Sequence, residues 1–173
     1  MKKMKTIHYV VIILVIGLLA SCSRNNNLTS DDMVELAKSK VELVTPDQLF
    51  EIMSGDDVYT LIDVRSPLEY YPGYISGAVL LSRGSLEFQI GQEKFWEDAG
   101  LYMPAKDETI ILYCKKGNRG ILATETLLSM GYTKVFALEG GFKNWELTFP
   151  DYVEKNLEAL GTGSSTHDMG GGC

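Results

Sequence analysis

Histidine and cysteine are scarce in this chain of 173 residues, and their positions exclude several kinds of chemistry. The two histidines are His8, in the first apolar segment, and His167, close to the last residue. A Cys-His catalytic pair inside a folded body is therefore excluded by composition. The three cysteines, Cys22, Cys114 and Cys173, are too few and too scattered for a disulfide framework. With no C-x-x-C pair, neither a zinc site nor a thioredoxin-type centre is expected, and no metal or other cofactor is called for. Positive charge is also short: 16 Lys and Arg face 23 Asp and Glu, a net charge of −7. Nucleic acid is excluded as a partner, because binding it rests on neutralising phosphates with a basic surface. The same balance offers no general attraction to anionic lipid, and no internal repeat is evident.

What is present begins with an address. Lys2, Lys3 and Lys5 precede an almost unbroken apolar run, Val10 to Ala20, interrupted only by Gly17. These read as the n- and h-regions of a secretory signal. Extended back to Ile7, the run is still shorter than the roughly 20 residues that comfortably span a bilayer. Leu19-Ala20-Ser21-Cys22 resembles the bacterial lipobox, in which small residues precede a cysteine that is acylated and becomes the new N-terminus. The other reading of Cys22 is an incidental thiol beside an uncleaved anchor, and either reading faces the body outward. The expected organisation is a signal peptide over 1–21, a flexible tether over 22–40 starting at a lipidated Cys22, a domain over 41–150 and an extension over 151–173. Within the extension a short helix is expected before a Gly/Ser-rich disordered tail. The expected location is the cell envelope, outside the cytoplasm, anchored by lipid to a bacterial membrane. Multiple acyl chains would hold it there more firmly than one.

The body alternates strand and helix signals. Thr45-Pro46-Asp47-Gln48 opens a helix with a capping Thr, a Pro at the first helical position and a Gln at the third. Val58 to Val64 is a short, mostly apolar run whose lack of alternation suits a strand buried on both faces. Ser66-Pro67-Leu68-Glu69 repeats the capping pattern, and another short apolar run covers Ala78 to Leu81. Ser85 to Ala99 is helix-like but broken at Gly91. Thr109 to Tyr113 is the clearest strand; a helix then runs to Gly131, and Lys134 to Leu138 forms the next strand. Gly140-Gly141 makes a turn before a compact helix, Phe142 to Leu147. The pattern implies an α/β domain with a central, mostly parallel sheet flanked by helices, in which ligands bind beyond the C-terminal strand ends.

Cys114 lies at such an end. Between a buried strand and a helix N-terminus, followed by a turn at Gly117, it faces backbone N–H groups and the positive end of a helix dipole. Such surroundings lower a thiol pKa and would equally hold a persulfide, while Lys115, Lys116 and Arg119 add charge that attracts a small anion. These flanking residues lead to the expectation that Cys114 is exposed rather than buried as an inert thiol.

The motifs then become specific. Leu61-Ile62-Asp63-Val64-Arg65-Ser66-Pro67-Leu68-Glu69-Tyr70 with Gly73-Tyr74-Ile75-Ser76-Gly77-Ala78 resembles the opening signature of rhodanese-like sulfurtransferase domains. Tyr113-Cys114-Lys115-Lys116-Gly117-Asn118-Arg119, the helix to Gly131-Tyr132, and Leu138-Glu139-Gly140-Gly141-Phe142-Lys143-Asn144-Trp145 follow that family's order and spacing. The resemblance covers roughly Val41 to Leu147 and implies a three-layer rhodanese-like domain. It further implies that Cys114 takes a sulfane sulfur from a donor such as thiosulfate, becomes a persulfide, and passes it to a thiophilic acceptor, cyanide or a thiol. Lys115, Lys116, Gly117, Asn118 and Arg119 would form the anion loop. Arg65 and Arg119 match positions that help shape the site, with Asp63 in support; an ion pair of purely structural role, with Asp63 or Glu69, is the other reading. Two positions depart from the family pattern: Tyr74 stands where His is usual and Gly120 where a small polar residue is usual. Tyr74 is expected to alter the rim of the site, and Gly120 to remove a hydroxyl.

Other readings differ in class. A non-catalytic binding or redox-sensing module on the same fold is one, although such modules commonly lack the loop cysteine. Cysteine phosphatases and arsenate reductases place five residues between Cys and Arg; here four separate Cys114 from Arg119, a loop too tight for a tetrahedral oxyanion. Cys173, behind three glycines, is either an inert thiol on a mobile tail or a thiol that returns to Cys114. With His167 it could also hold a metal weakly. Trp96, Phe142 and Trp145 are expected in the core.

Overall fold

The computed structural model describes residues 27–161. By contact the chain divides into residues 1–31 and a second unit, residues 32–173. The expected signal peptide, Cys22, His167 and Cys173 lie outside the described residues. No helix among the described residues is long and apolar enough to cross a membrane.

The elements are α1 (Ser30–Lys38), β1 (Glu42–Val44), α2 (Pro46–Ser54), β2 (Tyr59–Asp63), α3 (Pro67–Tyr70), β3 (Tyr74–Ile75), β4 (Val79–Leu80), α4 (Leu86–Gln89) and α5 (Glu93–Asp98). They are followed by β5 (Thr109–Tyr113), α6 (Asn118–Ser129), β6 (Lys134–Leu138), α7 (Gly141–Thr148), a 3-10 turn (Pro150–Tyr152), β7 (Val153–Glu154) and α8 (Glu158–Gly161). Local chemistry accounts for the boundaries. Thr45 and Gln48 cap α2 reciprocally, Gln48 N–H donating to Thr45 Oγ1 and Thr45 N–H to Gln48 Oε1. Gly91 falls between α4 and α5, where the helical pattern breaks.

Five strands form one sheet in the order β1-β6-β5-β2-β4, with every pair parallel. Helices cover both faces, so the central strands are apolar on both sides. Ile62, Ile110, Leu112 and Cys114 face a cluster with Leu86, Ile90, Trp96, Ala123 and Leu127. Leu61, Ile111 and Tyr113 face the other way, toward Leu49, Phe142 and Trp145. Trp96 and Trp145 are both fully buried, with their indole N–H groups donating to the Ile90 and Tyr152 carbonyls.

One expectation is corrected. The folded part begins before Val41: Val34 and Ala37 of α1 are buried against Ile121 and Ala137. A tether extending to residue 40 is therefore too long by at least this helix. Two apolar positions three residues apart make one buried stripe, too sparse a pattern to stand out among the acids around them. In the extension the short helix is α8 (Glu158–Gly161). Before it, β7 pairs with β3 in a separate antiparallel ribbon that the sequence did not signal, Tyr74 opposite Glu154 and Ile75 opposite Val153.

Candidate active site at the end of the central strand

Parallel pairing of β2 with β5 puts Asp63 beside Tyr113, so the two motif-bearing strands end side by side. The Val64 N–H donates to the Tyr113 carbonyl, carrying the contact one residue past the strands. The chain then turns at Cys114 into the N-terminus of α6. Gly117, with φ +101°, makes the turn that brings its own N–H to 3.2 Å from Cys114 Sγ. A backbone N–H so placed can stabilise an anionic sulfur.

The loop is held from beneath by α7. Phe142 N–H donates to the Cys114 carbonyl and Lys143 N–H to the Lys115 carbonyl, so the free N–H groups of one helix satisfy the carbonyls of the loop. This contact is close. A Cβ on Gly141, whose φ is +61°, would lie 2.2 Å from the Cys114 oxygen and 2.8 Å from the Gly117 nitrogen. Gly140-Gly141 thus shapes the loop through its backbone.

Cys114 is only 2% exposed, which corrects the expectation that its charged neighbours keep it at the surface. The strand's alternation decides this: Cys114 continues the Ile110 and Leu112 side into the core, while Lys115 and Lys116 are exposed beyond it. Asn118 is exposed as well, whereas Gly117 is buried and Arg119 half-buried. Arg119 faces Cys114 and also grips Glu69 of α3, at 2.8 Å and 2.7 Å. Glu69 in turn accepts from the Ser66 N–H and hydroxyl. The Arg119 guanidinium, more than any other cause, holds the Glu69 carboxyl down at about 2, and the carboxylate raises Arg119 further above its ordinary value.

Asp63 and Arg65 have a different place. Both are buried, and they form an ion pair of 2.6 Å, with Arg65 also donating to the Gly73 carbonyl. The guanidinium lies 4.2 Å from the Phe142 ring centroid and 5.7 Å from that of Tyr113. Burial pushes the Asp63 carboxyl up and Arg65 opposes it. This pair ties β2, α7 and the Gly73 turn together; its contacts are with scaffold rather than with the Cys114 loop.

The two departures from the family pattern resolve differently. Gly120 packs on the end of β5, where a Cβ would meet the Leu112 oxygen at 3.3 Å and Tyr113 Cα at 3.4 Å, so the helix sits closer than a side chain easily permits. Tyr74 is engaged away from the loop: its ring stacks on Tyr70 and its hydroxyl donates to Glu154. The cavity it lines contains no residue of the 114–119 loop, which corrects its expected place at the rim of the site. Sequence reasoning underrated Glu69, although its position in the Ser66-Pro67-Leu68-Glu69 box marked it as a residue directed at backbone or charge.

Comparison with known proteins agrees with this architecture. Residues 45–148 match the family model for the rhodanese-like domain. A thiosulfate sulfurtransferase GlpE from Ectopseudomonas mendocina is 31% identical over 120 residues, spanning 69% of this chain and 98% of the relative. Among solved structures, the human single-domain sulfurtransferase TSTD1 is 27% identical with a TM-score of 0.57, covering 61% of this chain and 95% of that one. A Rhodopseudomonas palustris protein of unknown function, labelled a possible tyrosine phosphatase, is 28% identical with a TM-score of 0.58 and covers 74% of this chain and 96% of that one. With the family model spanning residues 45–148 and its strand order, loop and motifs in place, this chain belongs to the rhodanese-like domain family.

Proposed function

We propose that this protein is a sulfurtransferase that carries sulfane sulfur on Cys114. The observation that supports it most directly is the Cys114 sulfur at a strand end, accepting from the Gly117 N–H, with Arg119 facing it. In the first half-reaction the Cys114 thiolate attacks the outer sulfur of thiosulfate. A Cys114 S–S bond forms, the thiosulfate S–S bond breaks, and sulfite leaves with the electron pair. In the second, cyanide or a thiolate attacks the outer sulfur of the persulfide and regenerates the Cys114 thiolate. Each of these steps passes an electron pair between anions and transfers no proton, so a fixed N–H donor and a guanidinium can stabilise the charge in both half-reactions. Lys115 and Lys116, exposed beside the loop, draw a small dianion toward it.

Incubation of the purified chain with thiosulfate, followed by digestion and mass spectrometry, tests the reading. One added sulfur on the Cys114 peptide, removed by cyanide as thiocyanate and lacking in Cys114→Ser, is the expected result. No adduct on a reduced, folded protein would leave a binding module instead. Hydrolysis of p-nitrophenyl phosphate at Cys114 would favour the phosphatase reading; with four residues between Cys114 and Arg119, none is expected.

For location we propose a lipid anchor at Cys22 that holds the domain outside the cytoplasm of a bacterial cell. The support is the lysine-flanked apolar run ending in Leu19-Ala20-Ser21-Cys22. Labelled palmitate should enter the wild-type chain and not Cys22→Ser; equal labelling of both would overturn the assignment.

A further inference from the structure

Behind α3 lies a cavity of about 750 Å³ that the sulfur chemistry does not use. Consecutive residues of α3 serve two places: Glu69 reaches Arg119, and Tyr70 enters this cavity. Its aromatic wall is built from Tyr70, Tyr71 and Tyr74. Tyr70 and Tyr74 stack with centroids 4.1 Å apart, and Tyr71 meets Tyr70 edge-on at 5.3 Å. The wall is rigid. Tyr70 Oη donates to the Ala78 carbonyl, the Asn156 N–H donates to the Tyr71 carbonyl, and the β3·β7 ribbon sets Glu154 opposite Tyr74.

The charge is one-sided. Glu154 and Asp98 line the cavity, and no Lys or Arg does. Asp98 already pairs with exposed Lys94. Glu154 accepts from the Tyr74 hydroxyl through Oε2, and among the described residues no cation pairs with it. A neighbouring cavity of about 400 Å³, which shares Leu101, adds Glu93 and Glu97 and again no cation. Aromatic rings carry negative faces, and a carboxylate beside them completes the pattern that recognises an alkylated or protonated amine. An anion such as thiosulfate is repelled by the same surface.

We propose that this cavity binds a small organic ammonium compound, its cationic head between the Tyr71 and Tyr74 rings and the Glu154 carboxylate and its apolar body toward Phe95 and Leu101. The site is independent of the sulfurtransferase reading. Choline and its uncharged carbon isostere 3,3-dimethylbutan-1-ol are the probes, titrated into the isotopically labelled full chain and followed by amide shifts in NMR. Choline is expected to move the amides of Tyr71, Tyr74, Val79 and Glu154 saturably, and the isostere to bind more weakly. Glu154→Gln, which keeps an acceptor for Tyr74, and Tyr71→Ala should each weaken choline by about threefold or more, the size expected of one partly exposed cation contact. Three results would overturn the proposal: equal shifts from both probes, no shift with choline in the tens of millimolar, or binding of a lysine-rich peptide without any of choline. Because the variants lie outside the Cys114 loop, unchanged sulfur loading in both would confirm that the fold is intact.

Discussion

Arg119 and Glu69, fifty positions apart in sequence, meet as a two-pronged ion pair, Nη1 on Oε2 at 2.8 Å and Nη2 on Oε1 at 2.7 Å. The pair holds the Arg119 guanidinium within electrostatic reach of Cys114, and a planar fork is what a point charge cannot reproduce. Arg119→Lys is therefore expected to lower kcat/KM for thiosulfate by about tenfold to a hundredfold, in line with loss of a charge-assisted contact. Glu69→Gln, which loosens Arg119 without removing it, should cost less, about three- to tenfold, and mainly in KM. Steady-state thiocyanate formation measures both; an unchanged Arg119→Lys enzyme would take Arg119 out of the site.

The same pair makes stability depend on acid. Glu69 has its pKa depressed from 4.5 to about 2, chiefly by hydrogen bonding to Arg119. A depressed acid contributes stability that is fully present above its unfolded value and is lost as pH falls through its folded value. Melting temperature should thus decline between pH 4.5 and 2, and Glu69→Gln should flatten that part of the profile while lowering the plateau. Scanning calorimetry across this range checks it.

The buried Asp63–Arg65 pair is expected to govern folding rather than turnover. Removing one partner strands a charge in the core, so Arg65→Met should lose about 3–5 kcal/mol in urea unfolding. Asp63→Asn combined with Arg65→Met should be less damaging than the single change, because no lone charge is left. A folded Arg65→Met protein should still load sulfur on Cys114.

Two glycines separate strain from collision. Gly77 has φ +78° with nothing within 4 Å of an added Cβ, whereas Gly141 has φ +61° and would place that carbon 2.2 Å from the Cys114 oxygen. Gly77→Ala should cost about 1–2 kcal/mol, the left-handed penalty alone. Gly141→Ala carries a similar penalty and also displaces the loop, so thiosulfate loading of Cys114 should fall well below that of Gly77→Ala at equal folded fraction.

Removal of α1 tests where the domain starts. A chain beginning at Val41 uncovers Ile121 and Ala137 and loses the burial of Val34, worth about 1.5–3 kcal/mol or more. Its unfolding free energy in urea should drop by about that amount; an unchanged value would restore the longer tether.

Much of this was legible in the chain. Thr109 to Tyr113 reads as a strand because four of its five residues are β-branched or aromatic and the run stands between turn signals, and Cys114 follows it directly. The capping residues Thr45 and Ser66 mark helix starts because their hydrogen bonds are local, spanning three positions. The β3·β7 ribbon was not legible: two-residue strands carry no period, and their partners lie 80 positions apart. The contribution of α1 was missed because two buried residues among acids make too thin a stripe.

By itself, the sequence determined the α/β class, the parallel order of signals, and the placing of a cysteine and a glycine-containing loop at the end of the central strand, since each depends on residue type and short spacing. Tertiary structure alone decided which way Cys114 points, that Arg119 is gripped by Glu69 while Arg65 is buried with Asp63, and that Tyr74 belongs to a second cavity. The reason is physical: capping and strand propensity act over a few residues, whereas burial and ion pairing depend on strand register, which brings together side chains that the chain itself holds far apart.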